Sequence, residues 1–367
     1  MITHQNYKRM TQRKVRKKQC YGIPKFLIIV LVCLCVLFLL SIYTASKYHV
    51  IINFDYEGAE DVFDYFPVQL HTDDTPRDLL LSVLKRTSGE KWTIPSWDSL
   101  DEDQHNGDNA EVRWANFTST TGITRPMAIH PHFDFISRAI NNKHRWSDCD
   151  VLPQLWNQAE DRSGKRNIYM EIGANIGSCI MEMLLSTDAP ILAFEPHPKN
   201  QLCLRKTISR LEPEYQNRII LVPVALGEAQ GSSTIYSASN NMGNSVVGKI
   251  IKDYDTQIFD EKSQFEIPIE RLDSIIKSDT TNIDFKVLKL DAQGYECKIL
   301  EGMGPNIARS IQNIKFEYAQ KWIEAQNCLD LLPKMRELGF NIYRGKNIVN
   351  EDSLKLANSD LIAKQSL

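Results

Sequence analysis

The sequence predicts an α/β protein: a doubly wound, mostly parallel sheet behind an N-terminal transmembrane helix and a stem. Two observations predict the sheet. Strand-like and helix-like segments alternate through the C-terminal half, and acidic residues stand where several predicted strands end, which is where such sheets bind ligands. A third observation, a run of 21 uncharged and mostly apolar residues at 26–46, predicts the transmembrane helix.

The N-terminal part has the charge pattern of a membrane anchor. Residues 1–25 contain eight Lys or Arg and no Asp or Glu, which gives this segment a charge of +8. Because the formal net charge of the whole chain is −3, the remaining residues carry −11. The basic segment predicts a cytosolic tail, residues 26–46 a signal-anchor helix, and the acidic residues that follow a lumenal body. A buried soluble helix is the alternative, whereas a cleaved signal peptide has a shorter apolar run. We therefore expect a single-pass type II protein of the Golgi or another secretory membrane.

Changes in composition divide the rest of the chain. Residues 47–125 are polar and lack hydrophobic periodicity, which predicts a partly disordered stem. Residues 126–165 predict a lead-in with a cover helix, residues 166–345 the main domain, and residues 346–367 a C-terminal tail. The acidic body argues against nucleic acid as a partner, because phosphate binding needs a cationic face.

Hydrophobic periodicity and turn residues divide the main domain into strands and helices. The predicted strands are 167–172, 191–195, 219–224, 232–237, 265–269, 285–290, 312–318 and 340–343. The predicted helices are 176–187, 198–210, 270–277, 295–302 and 326–338. Alternation of this kind predicts a mostly parallel sheet that is covered on both faces.

A glycine turn after the first of these strands predicts a nucleoside site. The motif runs Glu171-Ile-Gly173-Ala174-Asn175-Ile-Gly177, and Glu195 ends the next strand, 22 residues after Gly173. A βαβ unit needs this distance to bring a carboxylate to the ribose of a ligand at the turn. Glu171 would repel a pyrophosphate but attract the ammonium group of S-adenosylmethionine, so the residues favour S-adenosylmethionine over NAD. A glycine turn without a ligand is the alternative.

Four motifs, in this order, resemble those of the FkbM-type methyltransferases: residues 171–177, 193–200, 222–227 and 288–296. The resemblance runs from about 167 to 343, roughly half of the chain. The family is a class I, Rossmann-like group that uses S-adenosylmethionine, mostly to methylate hydroxyls of sugars, polyketides and other metabolites. The resemblance implies this cofactor and the residues that bind it: Glu171, Gly173, Ala174, Asn175 and Gly177 around the methionine, and Glu195 at the ribose.

The last of these motifs suggests the catalytic carboxylates. The usual form is Asp-x-Glu-Gly-x-Glu, whereas this chain reads Asp291-Ala-Gln293-Gly-Tyr-Glu296, so an amide of the same size replaces one carboxylate. We expect Asp291 to be the base or the residue that orients the acceptor hydroxyl, with Glu317 as a second carboxylate. The alternatives are a helix N-cap for Asp291 and an ion pair with a neighbouring lysine for Glu317.

Other polar residues are candidates for the acceptor site. The segment 240–245 resembles a family loop near the acceptor, and Asn241 and Asn244 in it are predicted to bind substrate. His130 is interpreted either as part of a lid or as a residue of a solvated loop, and His197 as a neighbour of the adenine or as structural. No His/Cys/Asp cluster has metal spacing, so no metal is predicted. The acceptor, a small molecule or a glycan, and the oligomeric state stay open.

Five cysteines lie outside the tail and the apolar run: Cys149, Cys179, Cys203, Cys297 and Cys328. The odd number leaves at least one free thiol, and no CxxC pair suggests zinc. The cysteines in predicted helices are expected to be small buried hydrophobes. One sequon, Asn116-Phe-Thr118, is a glycosylation acceptor if the body is lumenal.

Three functions are compatible with these features. The first is a membrane-anchored O-methyltransferase that acts on a glycan or a metabolite. The second is a lumenal glycosyltransferase, because Asp148-Cys-Asp150 and Asp253-Tyr-Asp255 match the DxD pattern, which arises easily by chance in an acidic chain. The third is a non-catalytic adaptor that keeps the methyltransferase fold, and Gln293 is its only support.

Overall fold

The computed structural model describes residues 48–50, 70–72, 75–85, 111–132, 134–252, 256–259, 263–277, 279–349 and 359–366. The chain divides into two compact units, residues 1–73 and 74–367. In the first unit, β1 (Tyr48–Val50) pairs antiparallel with β2 (Leu70–Thr72). The predicted tail and transmembrane helix at 1–46 lie outside the described residues. Among the residues that are described, no helix combines the length and the apolar composition needed to cross a bilayer.

The second unit alternates strands and helices. Its strands are β3 (Arg113–Thr118), β4 (Thr124–Ile129), β5 (Arg166–Ile172), β6 (Ile191–Phe194), β7 (Ile219–Val222), β8 (Ala225–Leu226), β9 (Gly231–Ala238), β10 (Asn241–Val247), β11 (Gln264–Glu270), β12 (Ile283–Leu290), β13 (Ile311–Tyr318), β14 (Phe340–Arg344), β15 (Asn347–Ile348) and β16 (Ser359–Gln365). Its α-helices are α1 (Pro76–Val83), α2 (Phe135–Lys143), α3 (Val151–Gln158), α4 (Ser178–Ser186), α5 (Pro198–Ser209), α6 (Pro213–Gln216), α7 (Leu272–Ile275), α8 (Glu296–Met303), α9 (Pro305–Arg309), α10 (Gln320–Ala325) and α11 (Leu331–Glu337).

The main sheet has eight strands in the order β15-β14-β16-β13-β12-β5-β6-β7. The five strands from β13 to β7 run parallel, whereas the pairings β13–β16, β16–β14 and β14–β15 are antiparallel. The fold is therefore a mixed α/β fold with a large, parallel-rich sheet. Each of the predicted strands occurs, with ends that differ from the prediction by at most two residues.

The central strands are buried on both faces because their alternate residues enter two separate hydrophobic clusters. Ile168 and Met170 of β5 pack into the cluster that includes α8 and α11, and Tyr169 packs into the cluster that includes α4 and α5. All residues of β12 are buried, as expected for a parallel strand between two layers of helices. Because β5, β6 and β12 pair parallel, their carboxyl ends lie at one edge of the sheet.

Three parts of the fold depart from the prediction. The hairpin of β3 and β4 begins inside the predicted stem, and β4 packs on α5. β10 occupies the segment predicted as a polar loop and pairs with β9 across a register shift. β16 lies in the predicted C-terminal tail, yet it inserts between β13 and β14. In β16 buried and more exposed residues alternate, so this short segment does carry a strand pattern.

The cysteines also differ from the expectation. Cys149 is bonded to Cys179, and Cys297 to Cys328. Only Cys203, among the described residues, is a free and buried thiol. The prediction of small buried hydrophobes for the cysteines in predicted helices was thus wrong for Cys179, Cys297 and Cys328, because sequence separation alone cannot tell which segments lie side by side.

Candidate active site

The glycine turn after β5 has a shape that requires the absence of a side chain. Gly173 has φ +81°, and a Cβ there would overlap the main-chain oxygen of Asp291. Asn175 is also left-handed, with φ +53°. The N–H groups of Gly173 and Ala174 both donate to the carbonyl oxygen of Phe194 at 3.0 Å. The turn thus joins the ends of β5, β6 and β12, where the sequence predicted a ligand.

Gly177 has a packing role. It has φ +90°, and a Cβ there would overlap the side chain of Leu204 on α5. It precedes α4 directly and lines neither of the two cavities described below. Glycine at this position lets α4 approach α5 closely.

Glu195 follows β6 and is buried against the turn. Its carboxylate accepts the N–H of Asn175 at 2.6 Å, the N–H of His197 at 2.9 Å and the side-chain amide of Asn200 at 3.2 Å. Burial raises the pKa of Glu195, although the three donors favour the ionised form. Glu195, which is predicted to bind the ribose, therefore also fixes the conformation of the glycine turn.

Glu171 is buried at the end of β5, beside Lys289 of β12. Tyr169 donates its hydroxyl to Glu171 at 2.8 Å, and Lys289 Nζ lies 3.6 Å from the other carboxylate oxygen. Burial raises the pKa of Glu171 to about 7, and the attraction of Lys289 limits the rise. Burial disfavours the charge on Lys289, but Asp291 and Glu171 together raise its pKa. Lys289 also donates to the carbonyl oxygen of Gly173 at 3.3 Å. The charged amine therefore stabilises the conformation of the glycine turn.

Asp291 and Glu317 are joined by one amide. Gln293 Nε2 donates to Asp291 Oδ1 at 2.9 Å and to Glu317 Oε2 at 3.3 Å. The other oxygen of Asp291 accepts Lys289 Nζ at 3.2 Å. Gln293 has φ +52°, so the turn that follows β12 holds its side chain between the two carboxylates. The two residues predicted as catalytic are thus brought together.

The two carboxylates differ in acidity. Burial opposes the ionisation of Asp291, but Lys289, Lys315 and the amide of Gln293 outweigh it and lower its pKa. Burial, followed by the charge of Asp291, raises the pKa of Glu317 to about 8. At neutral pH Asp291 is therefore ionised. Glu317 changes between its protonated and ionised forms at a pH close to neutral.

The alternative for Asp291, a helix N-cap, is wrong. The residue before α8 is Tyr295, which makes no side-chain cap, and Asp291 lies further from the helix. The lysine nearest to Glu317 in sequence, Lys315, pairs instead with Asp148 at 2.8 Å and Asp360 at 3.0 Å.

Two cavities meet at Asp291 and Gln293. The larger, about 850 Å³, is lined by α2, by the segment after it and by the ends of β5, β12 and β13, and both Asn241 and Asn244 line it. The smaller, about 70 Å³, lies along Gly173 and Glu195. Four residues line both cavities: Asn175, Gly243, Asp291 and Gln293.

The two candidate histidines, His130 and His197, have structural roles. His130 is buried, and its Nε2 lies 2.8 Å from Oδ1 of Asn200, the residue that donates to Glu195. It is therefore neither a lid residue nor part of a solvated loop. His197 is buried too: its Nδ1 caps α5 and its Nε2 contacts the hydroxyl of Ser237 at 3.1 Å. Burial lowers the pKa of His197 to about 3, which keeps it neutral.

The first DxD match does not form a carboxylate pair. Asp148 pairs with Lys315 and lines the larger cavity, Asp150 pairs with Arg145, and Cys149 between them is in a disulfide. The second match, residues 253–255, lies outside the described residues. The first of the two matches that suggested a glycosyltransferase therefore has a structural explanation.

Sequence reasoning missed several residues of the site, above all Lys289, Lys315 and Asp360. The two lysines carried a signal, because a lysine inside an apolar strand must be buried and needs a carboxylate partner. Asp360 carried none, since it reaches the cavity only through the insertion of β16.

The solved structures to which the chain is similar include several methyltransferases, at low sequence identity and low TM-score. One is a precorrin-6y C5,15-methyltransferase from Geobacter metallireducens, with 10% identity, a TM-score of 0.30, and 59% of this chain and 87% of that chain covered. A SAM-dependent O-methyltransferase from Thermotoga maritima has 10% identity, a TM-score of 0.31, and 69% and 77% covered. The magnesium protoporphyrin IX methyltransferase of Synechocystis, with bound SAH, has 11% identity, a TM-score of 0.30, and 64% and 88% covered. The search of curated proteins returned no match.

The family assignment comes from the sequence of the main domain. Residues 171–342 match the family described as the methyltransferase FkbM domain. The match begins at Glu171 of the glycine turn and ends in β14, so it includes the turn, Glu195, Asp291 and Glu317. The match identifies residues 171–342, just under half of the chain, as a methyltransferase FkbM domain.

Proposed function

We propose that the protein transfers a methyl group from S-adenosylmethionine to a hydroxyl of a glycan or a small metabolite. The observation that carries the proposal is the lining of the larger cavity, which includes Glu171, Ala174 and Asn175 of the glycine turn together with Asp291 and Glu317. A donor along the glycine turn and an acceptor in the rest of this cavity would meet at Asp291. Methyl transfer requires this in-line approach of the two ligands.

The residues at the turn fit this donor. Gly173 lets the turn approach the main chain of Asp291 closely, and Glu171 supplies negative charge for a cationic ligand. When bound, S-adenosylmethionine supplies a methyl group that its sulfonium has already activated. The task left to the chain is to position the acceptor and to remove its proton.

Asp291 and Glu317 divide this task. Asp291 remains ionised and accepts a hydrogen bond from the acceptor hydroxyl, which orients the oxygen. Glu317, with a pKa of about 8, takes the proton as the new O–C bond forms, and S-adenosylhomocysteine leaves. Gln293 holds both carboxylates by its hydrogen bonds.

We also propose that the protein is anchored in a secretory membrane, with the catalytic body in the lumen of the Golgi or a related compartment. The apolar run at 26–46 and the basic residues before it support this orientation. Two disulfides are typical of an oxidising compartment. The absence of a metal requirement and of a nucleic-acid partner stay predictions.

Donor binding is the first test. The full chain is titrated calorimetrically with S-adenosylmethionine and, separately, with UDP-glucose. We expect heat of binding for the first ligand alone. Binding of the sugar nucleotide alone would instead favour a glycosyltransferase.

Turnover is the second test, and it separates an enzyme from an adaptor. Tritiated methyl transfer is measured to a native and to an enzymatically deglycosylated glycan pool, and to small-molecule extracts. Asp291→Asn should retain donor binding and lose about a hundredfold in turnover, as expected when the acceptor hydroxyl loses the carboxylate that orients it. The control is Asp330→Asn, an exposed carboxylate that pairs with Lys334. Full turnover of Asp291→Asn would remove this residue from the mechanism.

A further inference from the structure

His130 belongs to a chain of buried hydrogen bonds that leads to Glu195. Its ring Nε2 lies 2.8 Å from Oδ1 of Asn200, and Nδ2 of Asn200 donates to Oε1 of Glu195 at 3.2 Å. Its Nδ1 lies 3.7 Å from the sulfur of Cys203, which is three residues after Asn200 on α5 and so faces the same ring. All four side chains are buried, so each polar atom depends on its protein partner.

The chemistry of these groups determines which atom donates at each step. An ionised carboxylate only accepts, so Asn200 has to present its amide nitrogen to Glu195, and its amide oxygen then faces His130. An amide oxygen also only accepts, so Nε2 of His130 carries the ring proton. Nδ1 is then a lone pair, which accepts the thiol proton of Cys203. Every donor in the chain therefore points towards Glu195.

Burial keeps these protons in place. It lowers the pKa of His130, although Asp134 and the bond to Asn200 oppose the change, and it raises the pKa of the Cys203 thiol. At neutral pH the imidazole is therefore neutral and the thiol is protonated. The nearest carboxylate oxygen of Asp134 lies 3.9 Å from Nε2, which is beyond hydrogen-bond distance. Asn200 is thus the acceptor of the ring proton.

The ring of His130 is held by parts of the chain that lie outside the matched domain. His130 directly follows β4, and its N–H donates to the hydroxyl of Ser137 on α2 at 3.2 Å. β4 is fixed to α5 where the N–H of Ala128 donates to the hydroxyl of Thr207 at 2.9 Å. His130 precedes residues 171–342, which match the methyltransferase FkbM domain. The β3–β4 hairpin and α2 therefore bring a donor to the domain that the domain itself does not supply.

We propose that His130 is a positioning residue for the methyl donor: it keeps the amide of Asn200 turned with its nitrogen towards Glu195, and it thereby sets the affinity for the ribose. Without a donor at Nε2, the amide loses the contact that fixes its orientation. An amide turned the other way would place its oxygen against the carboxylate, and two acceptors repel each other. Glu195 would then hold the ribose hydroxyls less firmly. This inference rests on the proposed function and adds to its donor site a residue from outside the matched domain.

Two amide substitutions of His130 test the proposal. The side-chain nitrogen of a glutamine can take the place of Nε2, whereas that of an asparagine reaches only the place of Nδ1. The affinity of the full chain for S-adenosylhomocysteine is measured by calorimetric titration. His130→Asn should lower the affinity about tenfold, and His130→Gln should keep it within about twofold of the parent, because only the second variant restores the donor to Asn200. His132→Asn is the matched control, since His132 is exposed, and its affinity should equal that of the parent.

The comparison of the two variants separates positioning from packing. Both replace the ring by a smaller amide, so a packing role would weaken binding in both. Equal losses in the two variants, or an affinity of His130→Asn equal to that of the parent, would overturn the proposal. If the parent itself does not bind S-adenosylhomocysteine, the proposed function fails and this inference fails with it.

A double-mutant cycle tests whether the effect passes through Glu195. In the background of Glu195→Gln, adding His130→Asn should change the affinity for S-adenosylhomocysteine by less than about twofold, because the carboxylate that the chain orients is gone. Losses that multiply as if the two residues were independent would overturn the proposal.

The position of the ring proton gives a measurement that does not depend on the ligand. Nitrogen–proton correlation spectra of the full chain with isotope-labelled histidine distinguish the two tautomers, and the signals of His130 are those that disappear in His130→Gln. We expect the proton on Nε2. A proton on Nδ1 would leave Nε2 unable to donate to Asn200, and the proposal would be wrong.

Discussion

Gln293 Nε2 lies 2.9 Å from Asp291 Oδ1 and, on its other side, 3.3 Å from Glu317. In the family pattern this position is a glutamate. Gln293→Glu would replace a shared donor with a third carboxylate, and like charges raise one another's pKa. We expect the pKa of Glu317 to rise by about one unit and methyl transfer at pH 7.5 to fall about tenfold.

Gln293→Met separates charge from bridging, because it removes the amide without adding a carboxylate. We expect it to lose less activity at pH 7.5 than Gln293→Glu, and to recover less at pH 9. Higher activity of Gln293→Glu than of the parent would mean that the amide impairs the site.

The pH dependence of the reaction should report on Glu317. Because its pKa is about 8, the carboxylate is mostly protonated below that pH and cannot accept a proton. The logarithm of kcat/KM should rise with a slope of about one up to pH 8 and then level off. Glu317→Gln should be about a hundredfold or more slower and lack this rise. A profile that is flat from pH 6 to 9 in the parent would exclude Glu317 as the base.

Glu195→Gln should weaken donor binding. Three N–H donors converge on this carboxylate, and an amide would turn one of its oxygens into a competing donor. Hydrogen bonds to a charged group contribute about 1.5–3 kcal/mol each, so the affinity for S-adenosylhomocysteine should fall at least tenfold in a calorimetric titration. Glu212→Gln, which removes an exposed ion pair with Arg125, should leave the affinity unchanged.

Two glycines with the same backbone conformation allow a test of close approach at the turn. Gly173 and Gly122 have φ +81° and +84°, but a Cβ would overlap main chain only at Gly173, since nothing lies within 4 Å at Gly122. Gly122→Ala should cost roughly 1–2 kcal/mol in the free energy of unfolding. Gly173→Ala should cost ~4 kcal/mol or more, as severe overpacking does. Equal costs in denaturant titrations would contradict the packing of the turn against β12.

The orientation across the membrane can be tested at the sequon. Asn116 is exposed on β3, so a lumenal body should carry one N-glycan there. The full chain made in eukaryotic cells should shift in mobility after removal of N-glycans, and Asn116→Gln should not. An engineered sequon at the exposed turn around Gly122 serves as the topology control. Modification of neither site would argue for a body in the cytosol.

The βαβ core of the site was predictable because its signals are local. β5, the turn at Gly173 and β6 lie within one short segment, and the distance to Glu195 follows from the geometry of that unit. The prediction that Asp291 and Glu317 come together rested on the parallel sheet, whose strands end at one edge.

The rest depended on contacts between distant parts of the chain. Asp360 reaches the cavity through β16, and Asp148 is held beside α4 by a disulfide between Cys149 and Cys179. Neither pairing has a local signature. β10 was missed for a different reason, since it begins with the polar residues of a turn and is bent by a register shift against β9.

The place of β16 between β13 and β14 has a consequence for how the sheet forms. β14 precedes β16 in the chain, yet among the described strands it joins the main sheet only through β16, and β15 is attached to these strands only through β14. β14 and β15 can therefore join the sheet only after β16 has paired with β13. This pairing is non-local in sequence, and non-local pairings form slowly during folding. Any substitution that loosens β16 should release three strands at once and leave β13 as a bare edge open to association with other chains.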